Sequence, residues 1–317
     1  MGKEDSDGRP STTGVTKVHE SNAWQDGRML GTTVVETVAE AAGVAPSDIQ
    51  TCLYDIIEPD ALDALFAPKE NGEERANGTV SFSLHGHYVT VSADGIIEVE
   101  SELARIKERG GNLLLTGLVP DSVIDTASTR LLGENGTNRT RFIALLDRNV
   151  ETAMARLPAT DTPGEGFVLD FAATARSAAS QTPSAPIATD YSVTDVAGDH
   201  FDFLEAIERT LWDVVSERKG MNPGELRFCF DSLRPLLDEH DEDDVRQFLD
   251  CCFDTVSQFS GMGHYILSAD RDSDVVSTVE PLFDATVELR VGESGPEQRW
   301  HLPNTKFTTD WFALGVE

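Results

Sequence analysis

The stretch from residue 112 to residue 132 has the order of a phosphate-binding loop: an apolar run, a Thr-Gly turn and then a helical pattern. Thr116 and Gly117 stand where backbone N–H groups would begin to wrap a phosphate. A working loop also supplies a lysine to the β- and γ-phosphates and a hydroxyl to Mg²⁺. Counted from Gly117, those two places hold Val123 and Ile124. The sequence therefore predicts a strand, a turn and a helix without the residues that would hold a triphosphate.

Three residues beside this turn weaken a phosphate site further. Pro120 removes one N–H donor from the loop. Asp121 places its own carboxylate at the helix N-terminus, where the helix dipole would otherwise favour a phosphate. Ser122 replaces the second glycine of the motif. We therefore predict that this is not a competent phosphate loop.

Asp231 ends an apolar strand, and that is the place of the Mg²⁺-binding aspartate in nucleotide-hydrolysing α/β proteins. An aspartate at a strand end also caps the helix that follows, and this interpretation is favoured because no phosphate loop accompanies it. The alternative is a weak nucleotide site in which Thr116, Gly117 and Asp231 bind ATP with Mg²⁺.

Three other groups of residues have the types that bind metals. His85 and His87 flank Gly86, which indicates a turn, and no third ligand accompanies them. The segment 270–274 begins like a calcium loop but lacks its glycine and its final glutamate. The acidic run 238–244 is typical of a solvated connector. The sequence predicts no metal site and no set of catalytic residues.

The charge of the chain points to a salt-rich cytoplasm. Its 317 residues include 25 Lys and Arg against 56 Asp and Glu, so the formal net charge is −31. Concentrated salt screens such self-repulsion over a few ångströms, and a dense carboxylate surface maintains solubility. The excess of acid argues against direct binding to nucleic acid, which requires a basic footprint. The chain has no run of about 18 apolar residues that would span a membrane, and we expect it to be cytoplasmic.

The residues up to about 100 predict a small α+β module. Helical spacing of apolar residues and a proline at Pro59 indicate helices between residues 30 and 66. The apolar period then changes to two, which predicts a three-stranded antiparallel meander closed by a tight turn at Asp94 and Gly95.

The remaining chain predicts an α/β domain with a mainly parallel sheet and a C-terminal antiparallel hairpin. Strands that are apolar throughout and separated by helices are typical of a sheet covered on both faces. The predicted strands are 112–116, 141–146, 166–171, 225–231 and 264–269, followed by antiparallel strands over 285–291 and 298–303. A long polar loop is predicted over residues 172–198.

These patterns divide the chain into four segments. We predict a disordered arm over residues 1–22, the α+β module over 23–100, a helical linker over 101–111 and the α/β domain over 112–312.

Two resemblances follow from particular stretches. Residues from about 31 to 100 carry VVETVAEAAGVAPSDI, LYDIIEPDALDALF and GTVSFSLHGHYVTVSADGIIEV, and this segment resembles the halobacterial output domain of haloarchaeal signalling proteins. That resemblance implies an interaction element without catalytic residues. Residues from about 110 to 312, above all LRFCFDSLRPLLDEHDEDDVRQFLDCCFDTVSQFSGMGHYILSADRDSD, resemble a haloarchaeal family of RecA/KaiC-like domains. The departures at Ser122, Val123 and Ile124 put ATP hydrolysis in doubt.

The leading hypothesis is a non-catalytic signalling or regulatory protein of a halophilic archaeon. The RecA-like half would act as a scaffold or sensor without a cofactor, and the output module would contact protein partners. Self-association is a further expectation from the KaiC-like resemblance. The alternatives are a weak nucleotide-binding switch or residual ATPase, and a transcriptional regulator that reaches DNA through a partner.

Overall fold

The structure is a computed structural model, and it describes eight stretches of the chain. These are residues 19–22, 29–49, 51–67, 78–133, 139–157, 166–171, 191–218 and 220–315. Most of the predicted disordered arm and most of the predicted loop 172–198 lie outside the described residues.

The chain divides into two compact units. The first comprises Met1–Arg105 together with Leu302–Phe307, and the second comprises Ile106–His301 together with Thr308–Glu317. A short C-terminal segment therefore groups with the first unit, whereas the sequence pattern assigned it to the second domain.

The first unit contains an antiparallel sheet with strand order β1-β4-β3-β2. Its elements are β1 (His19–Asn22), α1 (Leu30–Ala42), α2 (Pro59–Phe66), β2 (Thr79–Leu84), β3 (His87–Ser92) and β4 (Ile96–Ser101), with 3-10 helices at Pro46–Asp48 and Leu53–Asp55. Gly43 is the C-cap residue of helix α1 and adopts a left-handed backbone conformation. Leu30, Val34 and Val38 are fully buried, so the face predicted by helical spacing forms part of the core.

Helix α3 (Glu102–Arg109) follows, and ten strands then form the second sheet. The strands are β5 (Gly111–Thr116), β6 (Thr140–Leu145), β7 (Gly166–Asp170), β8 (Ser192–Asp195), β9 (Leu226–Asp231), β10 (Met262–Leu267), β11 (Ala285–Gly292), β12 (Gly295–Leu302), β13 (Phe307–Thr308) and β14 (Phe312–Ala313). The order is β13-β12-β11-β5-β10-β9-β6-β7-β8, with β14 beside β12. The strands from β11 to β8 pair in parallel, and β12 pairs antiparallel with β11.

Helices cover this sheet. They are α4 (Asp121–Leu132), α5 (Val150–Arg156), α6 (His200–Arg218), α7 (Arg234–Glu239), α8 (Glu242–Gln258) and α9 (Asp274–Val279), with a 3-10 helix at Glu280–Leu282. A further 3-10 helix, Pro303–Thr305, belongs to the first unit. Phe228 and Phe230 of β9 belong to one aromatic-rich core together with Phe203 of α6 and Phe248 of α8. The opposite face of the sheet meets α4, where Ser128 contacts the side chains of β9 and β10. The predicted α+β module and α/β domain are thus both confirmed.

Two strands correct the sequence analysis. Strand β1 lies within the segment predicted to be disordered, and β8 lies within the predicted long loop. Each strand is held at a sheet edge by backbone pairing, β1 with β4 and β8 with β7, and this pairing does not require apolar side chains. Their sequences, HESN and SVTD, accordingly lack an apolar pattern. Apolar periodicity cannot detect a strand of that kind.

Among the helices that the structure describes, none is both long enough and apolar enough to cross a lipid bilayer.

Candidate functional site

Thr116, Gly117 and Asp231 lie at one edge of the second sheet. Thr116 ends β5 and Asp231 ends β9, and both strands pair in parallel with β10, which lies between them. Ligands of α/β proteins bind outside the carboxyl ends of parallel strands. The fold therefore brings the three predicted residues to the edge at which a site would be expected.

Internal hydrogen bonds occupy the donors of Thr116 and Gly117. The Thr116 hydroxyl donates to the Ala269 carbonyl at 2.8 Å, and the Gly117 N–H donates to the same oxygen at 2.9 Å. Thr116 is also buried, with 1% of its surface exposed. The turn after β5 is thus fastened to the end of β10 by the groups that would have contacted a phosphate.

Gly117 has a structural reason to be glycine. Its φ of +145° is one that residues with side chains rarely adopt. A Cβ atom added to it would lie 2.5 Å from the carbonyl oxygen of Leu289 in β11. The glycine permits β11 to approach the turn, and this requirement accounts for its presence without a bound phosphate.

The first turn of α4 presents apolar side chains to the protein interior. Val123 and Ile124, which occupy the places of the lysine and the hydroxyl, are 7% and 2% exposed. The N-cap residue Pro120 makes no side-chain cap bond. These two side chains help to fill the core beneath α4, so packing accounts for their residue types.

Asp231 is a fully buried carboxylate paired with two arginines. Its Oδ2 lies 2.8 Å from Arg156 Nη1, and its Oδ1 lies 3.3 Å from Arg148 Nε. Arg156 is itself 1% exposed. The alignment of these contacts is poor for hydrogen bonds, so they act chiefly as charge pairs. The peptide bond between Asp231 and Ser232 is cis.

The two arginines join Asp231 to helix α4. Asp125 Oδ1 lies 2.6 Å from Arg156 Nη2 and 3.2 Å from Arg148 Nη1. Arg148 Nη2 also lies 3.2 Å from Asp121 Oδ1 at the helix N-terminus. We call Asp121, Asp125, Arg148, Arg156 and Asp231 the ion-pair cluster. It links the carboxyl end of β9 to the N-terminal half of α4.

Burial dominates the electrostatics of this cluster. It raises the pKa of Asp231 above its ordinary value, while Arg156 and Arg148 oppose that rise and Asp147 adds to it. Burial also raises the pKa of Asp147. The arginines therefore offset the cost of burying the Asp231 charge, which is the role that Mg²⁺ would have in a nucleotide site.

Sequence reasoning did not find Arg148 and Arg156. Arg148 follows β6, and Arg156 lies in the last turn of α5, far along the chain from Asp231. One signal was available, because Arg156 is three residues beyond Ala153 and thus on the helix face that the apolar pattern buries. An arginine on an otherwise buried helix face indicates a buried acidic partner.

A cavity of about 310 Å³ opens beside the cluster, between α4 and α5. Its lining residues are Asp125, Thr126, Thr129, Arg130, Ala155 and Arg156. Thr116, Gly117 and Asp231 are absent from this lining, so the cavity does not join the three predicted residues into one site.

A buried polar row continues from Asp231 along the same sheet face. Ser128 Oγ lies 2.8 Å from His264 Nε2 and 3.7 Å from Cys229 Sγ, and all three residues are fully buried. Burial and repulsion from Arg156 and Arg227 lower the pKa of His264 to about 3. Burial and the charge of Asp231 raise the pKa of Cys229 to about 12. A neutral imidazole and a protonated thiol without access to solvent do not form a nucleophilic site.

The metal candidates do not assemble either. His87 Nδ1 contacts the backbone carbonyl of His85 at 2.8 Å, and the His85 ring packs edge-on against Phe307. Among the residues that the structure describes, no group of three or more His, Cys, Asp or Glu side chains is arranged to hold a metal ion.

The residues at the carboxyl edge do not fit ATP with Mg²⁺. Both oxygens of Asp231 face arginine nitrogens, and the N–H of Gly117 is bonded to Ala269. No lysine occupies the motif position, where Val123 is buried instead. A phosphate would need the ion-pair cluster to open first.

Comparison with known proteins gives four findings. Residues 26–101 match the model of halobacterial output domain 1. An uncharacterised protein of Pyrococcus horikoshii, solved in complex with an unknown peptide, aligns over 63% of this chain and 88% of its own, with 13% identity and a TM-score of 0.43. A likeness at that level supports no inference about this chain. No curated protein shows significant similarity to the chain. Residues 110–289 match the model described as a family of unknown function (DUF7504), and the chain belongs to that family.

Proposed function

We propose that the chain is a non-catalytic signalling or regulatory protein of a halophilic archaeon. Residues 112–312 would form a RecA/KaiC-like domain whose nucleotide site is closed by the ion-pair cluster, and this domain would serve as scaffold or sensor. Residues 23–100 would form the output element. The observation that carries the proposal is the pairing of Asp231 with Arg156 and Arg148.

The pairing of Asp231 with two arginines supports a non-catalytic function, because the arginines take the place that a bound Mg²⁺ would have beside this carboxylate. In a nucleotide-hydrolysing site the strand-end aspartate holds Mg²⁺, and the metal neutralises the phosphates. Here two guanidinium groups supply the positive charge from within the protein, and they are fixed to α4 through Asp125. A domain that neutralises its own aspartate keeps the fold without needing a cofactor.

The match to the output domain supports the signalling half of the proposal. The first unit exposes Tyr54 and Leu65, which are 62% and 46% accessible. These two side chains are large, apolar and accessible to a partner, so they are the positions that we choose to test. We expect the partners to be proteins of a regulatory pathway, the location to be the cytoplasm, and self-association to be a further property of the second unit.

Titration of Mg-ATP into the purified full-length chain, in multimolar KCl, tests the closed site. We expect no saturable heat by isothermal titration calorimetry for the wild type. Saturable binding at millimolar affinity or better that is lost in Asp231→Ala would instead establish the alternative, a weak nucleotide-binding switch or residual ATPase using Thr116, Gly117 and Asp231. If Asp231→Ala does not fold, Asp231→Asn replaces it as the variant that must lose the binding, because wild-type binding alone does not locate the site.

A pull-down from a salt-matched lysate of a halophilic archaeon tests the signalling half. The bait is the full chain, and the matched control is the double variant Tyr54→Ser/Leu65→Ser. We expect a regulator or kinase that the control bait does not retain. Recovery of a transcription factor would select the regulator alternative, and recovery of no regulatory protein would contradict both signalling versions.

A further inference from the structure

A second buried charged cluster lies at the opposite edge of the same sheet. Arg141 and Arg227 are direct Cα partners near the starts of the neighbouring parallel strands β6 and β9. Partners in register point to the same sheet face. Arg141 is 1% exposed and Arg227 is 4% exposed. Two guanidinium groups are therefore buried side by side at the amino ends of these strands.

Arg227 lacks an acidic partner among the described residues. Its Nη1 lies 2.8 Å from the Met262 sulfur, and its buried Nε makes no hydrogen bond. A thioether is a weak acceptor and carries no charge. A buried cation without an anion is expensive, because neither water nor a counter-charge compensates it. The acidic residue nearest in sequence, Glu225, bonds to Arg218 and Asn222 instead.

Two further cations lie at the same place. Arg139 Nη1 donates to the Gly224 carbonyl at 2.6 Å. A Cβ on Gly224 would lie 2.8 Å from the carbonyl oxygen of Lys107, so Lys107, Gly224 and Arg139 are neighbours. Arg139 is half-buried and thus reaches solvent, whereas Arg227 does not. The group therefore combines an accessible arginine with a buried one.

The titration of Arg227 reflects this crowding. Burial, together with repulsion from Arg139 and Arg141, lowers the pKa of Arg227 to about 9. Burial and repulsion from Arg227 and Arg139 also lower the pKa of Lys107. Among the described residues, the charges named as lowering the pKa values of these two groups are all positive, and in a chain of net charge −31 such a concentration is local.

We propose that Lys107, Arg139, Arg141 and Arg227 form a binding site for a phosphate group, either free phosphate or the phosphate of a small phosphomonoester. Arg139 and Lys107 are accessible to solvent, and Arg227 and Arg141 are the buried members of the group. Guanidinium groups present N–H donors in a planar fork that matches an oxyanion, and a dianion compensates more than one cation. The site is separate from the carboxyl edge and does not depend on the proposed function.

Titrations of the full-length chain with inorganic phosphate and with glycerol 3-phosphate test the site. Both are run in KCl at constant ionic strength, with calorimetry for affinity and thermal unfolding for stabilisation. We expect saturable binding and a saturable rise of the unfolding midpoint, because a ligand that binds only the folded state stabilises it. In a second series at the same ionic strength, the affinity for phosphate should fall as the fraction of KCl in the salt mixture rises, because chloride competes with phosphate for the site.

Arg227→Met is the principal variant. We expect its affinity to fall at least about tenfold, the loss that corresponds to one charge-assisted contact. The matched control is Arg271→Met, which removes a half-buried arginine that pairs with Glu280 elsewhere in the unit. Its affinity for phosphate should remain within a factor of about two, although its stability falls. Arg139→Gln, which changes the half-buried arginine, is used if Arg227→Met does not fold, and we expect its affinity for phosphate to fall several-fold.

Each outcome decides. Saturation by either ligand supports the site: inorganic phosphate alone indicates the free ion, glycerol 3-phosphate alone indicates a phosphomonoester, and saturation by both indicates that the phosphate group is what is recognised. Absence of saturable binding by the wild type with both ligands overturns the proposal. Equal affinities of the wild type, Arg227→Met and Arg139→Gln overturn it as well.

Discussion

Strand β9 has a buried charged residue near each end, and the two residues differ in whether a counter-charge lies beside them. Asp231 at the carboxyl end lies within 3.3 Å of two arginine nitrogens. Arg227 at the amino end contacts the Met262 sulfur at 2.8 Å and has no acidic partner among the residues that the structure describes. Both residues are at most 4% exposed. Burial alone therefore does not distinguish a structural charge from a ligand-binding one, whereas the presence of a counter-charge does.

The comparison reverses what the motifs suggest. A strand-end aspartate beside a Thr-Gly turn invites a nucleotide-site interpretation, yet its charge is already neutralised. The amino ends of parallel strands are not where α/β proteins bind their ligands. The unsatisfied charge lies there nevertheless, and the following variants break or sharpen the contrast.

The largest effect is expected from Arg156→Met. It leaves Asp231 and Asp125 without their closest partner, and removal of one member of a buried ion pair costs about 3–5 kcal/mol of unfolding free energy. Urea denaturation in high salt measures the change.

A double variant separates the contribution of the Arg156–Asp231 ion pair to stability from the contribution of side-chain packing. Arg156→Met combined with Asp231→Leu should recover at least half of the stability lost, because a buried ion pair can be replaced by apolar residues without a large penalty. If the double variant is as unstable as the sum of the two single variants, the two side chains are not coupled and the comparison fails at this end.

Gly117→Ala should lower the free energy of unfolding by about 2–4 kcal/mol, through backbone strain and the clash with Leu289. The control is Gly295→Ala, where φ is +126° but nothing lies within 4 Å of the added Cβ. Only the strain, about 1 kcal/mol, is expected there. Equal losses in thermal or urea unfolding would show that the approach of β11 is not what requires Gly117.

Arg227→Met should raise the free energy of unfolding by about 1–2 kcal/mol in the absence of phosphate, because it removes an uncompensated buried charge. Its pH dependence sharpens the result. The folded-state pKa of Arg227, about 9, lies below its ordinary value. Above pH 9 the unfolded chain therefore keeps a proton that the folded chain releases, and stability rises with pH.

The unfolding free energy of Arg227→Met should not show this rise above pH 9. The stability difference between the variant and the wild type is therefore constant below pH 9 and shrinks above it. Unfolding curves on both sides of pH 9 measure this difference, and a difference that is independent of pH would mean that Arg227 is compensated in the folded protein.

The smallest effect is expected from Arg234→Met. Arg234 Nε lies 3.0 Å from Asp238 Oδ2, but both side chains are more than half exposed. Such a surface pair contributes below about 0.5 kcal/mol. A loss comparable with that of Arg156→Met would show that pairing in this chain stabilises equally at the surface and in the interior.

Much of the fold could be predicted from the sequence, because the central strands are apolar throughout. Strands β5 and β9 were located to within a residue, and the helical face of Val34 and Val38 proved to be core. Strands β1 and β8 were missed, since edge pairing through the backbone requires no apolar pattern.

The site was only partly predictable. The place of Thr116, Gly117 and Asp231 at one edge followed from parallel topology. The partners of Asp231 did not, because a sequence does not specify which distant arginine meets a given carboxylate. The uncompensated state of Arg227 was also inaccessible, since it depends on acidic side chains being directed elsewhere.

The turn after β5 also has a kinetic consequence. The amide hydrogen of Gly117 is bonded to Ala269, and the adjacent Thr116 hydroxyl shares that acceptor. In a loop whose amide groups bind a ligand, the amide protons exchange with solvent whenever the ligand dissociates. Here the proton is protected by the protein itself, so its deuterium exchange reports how often β5 and β10 separate.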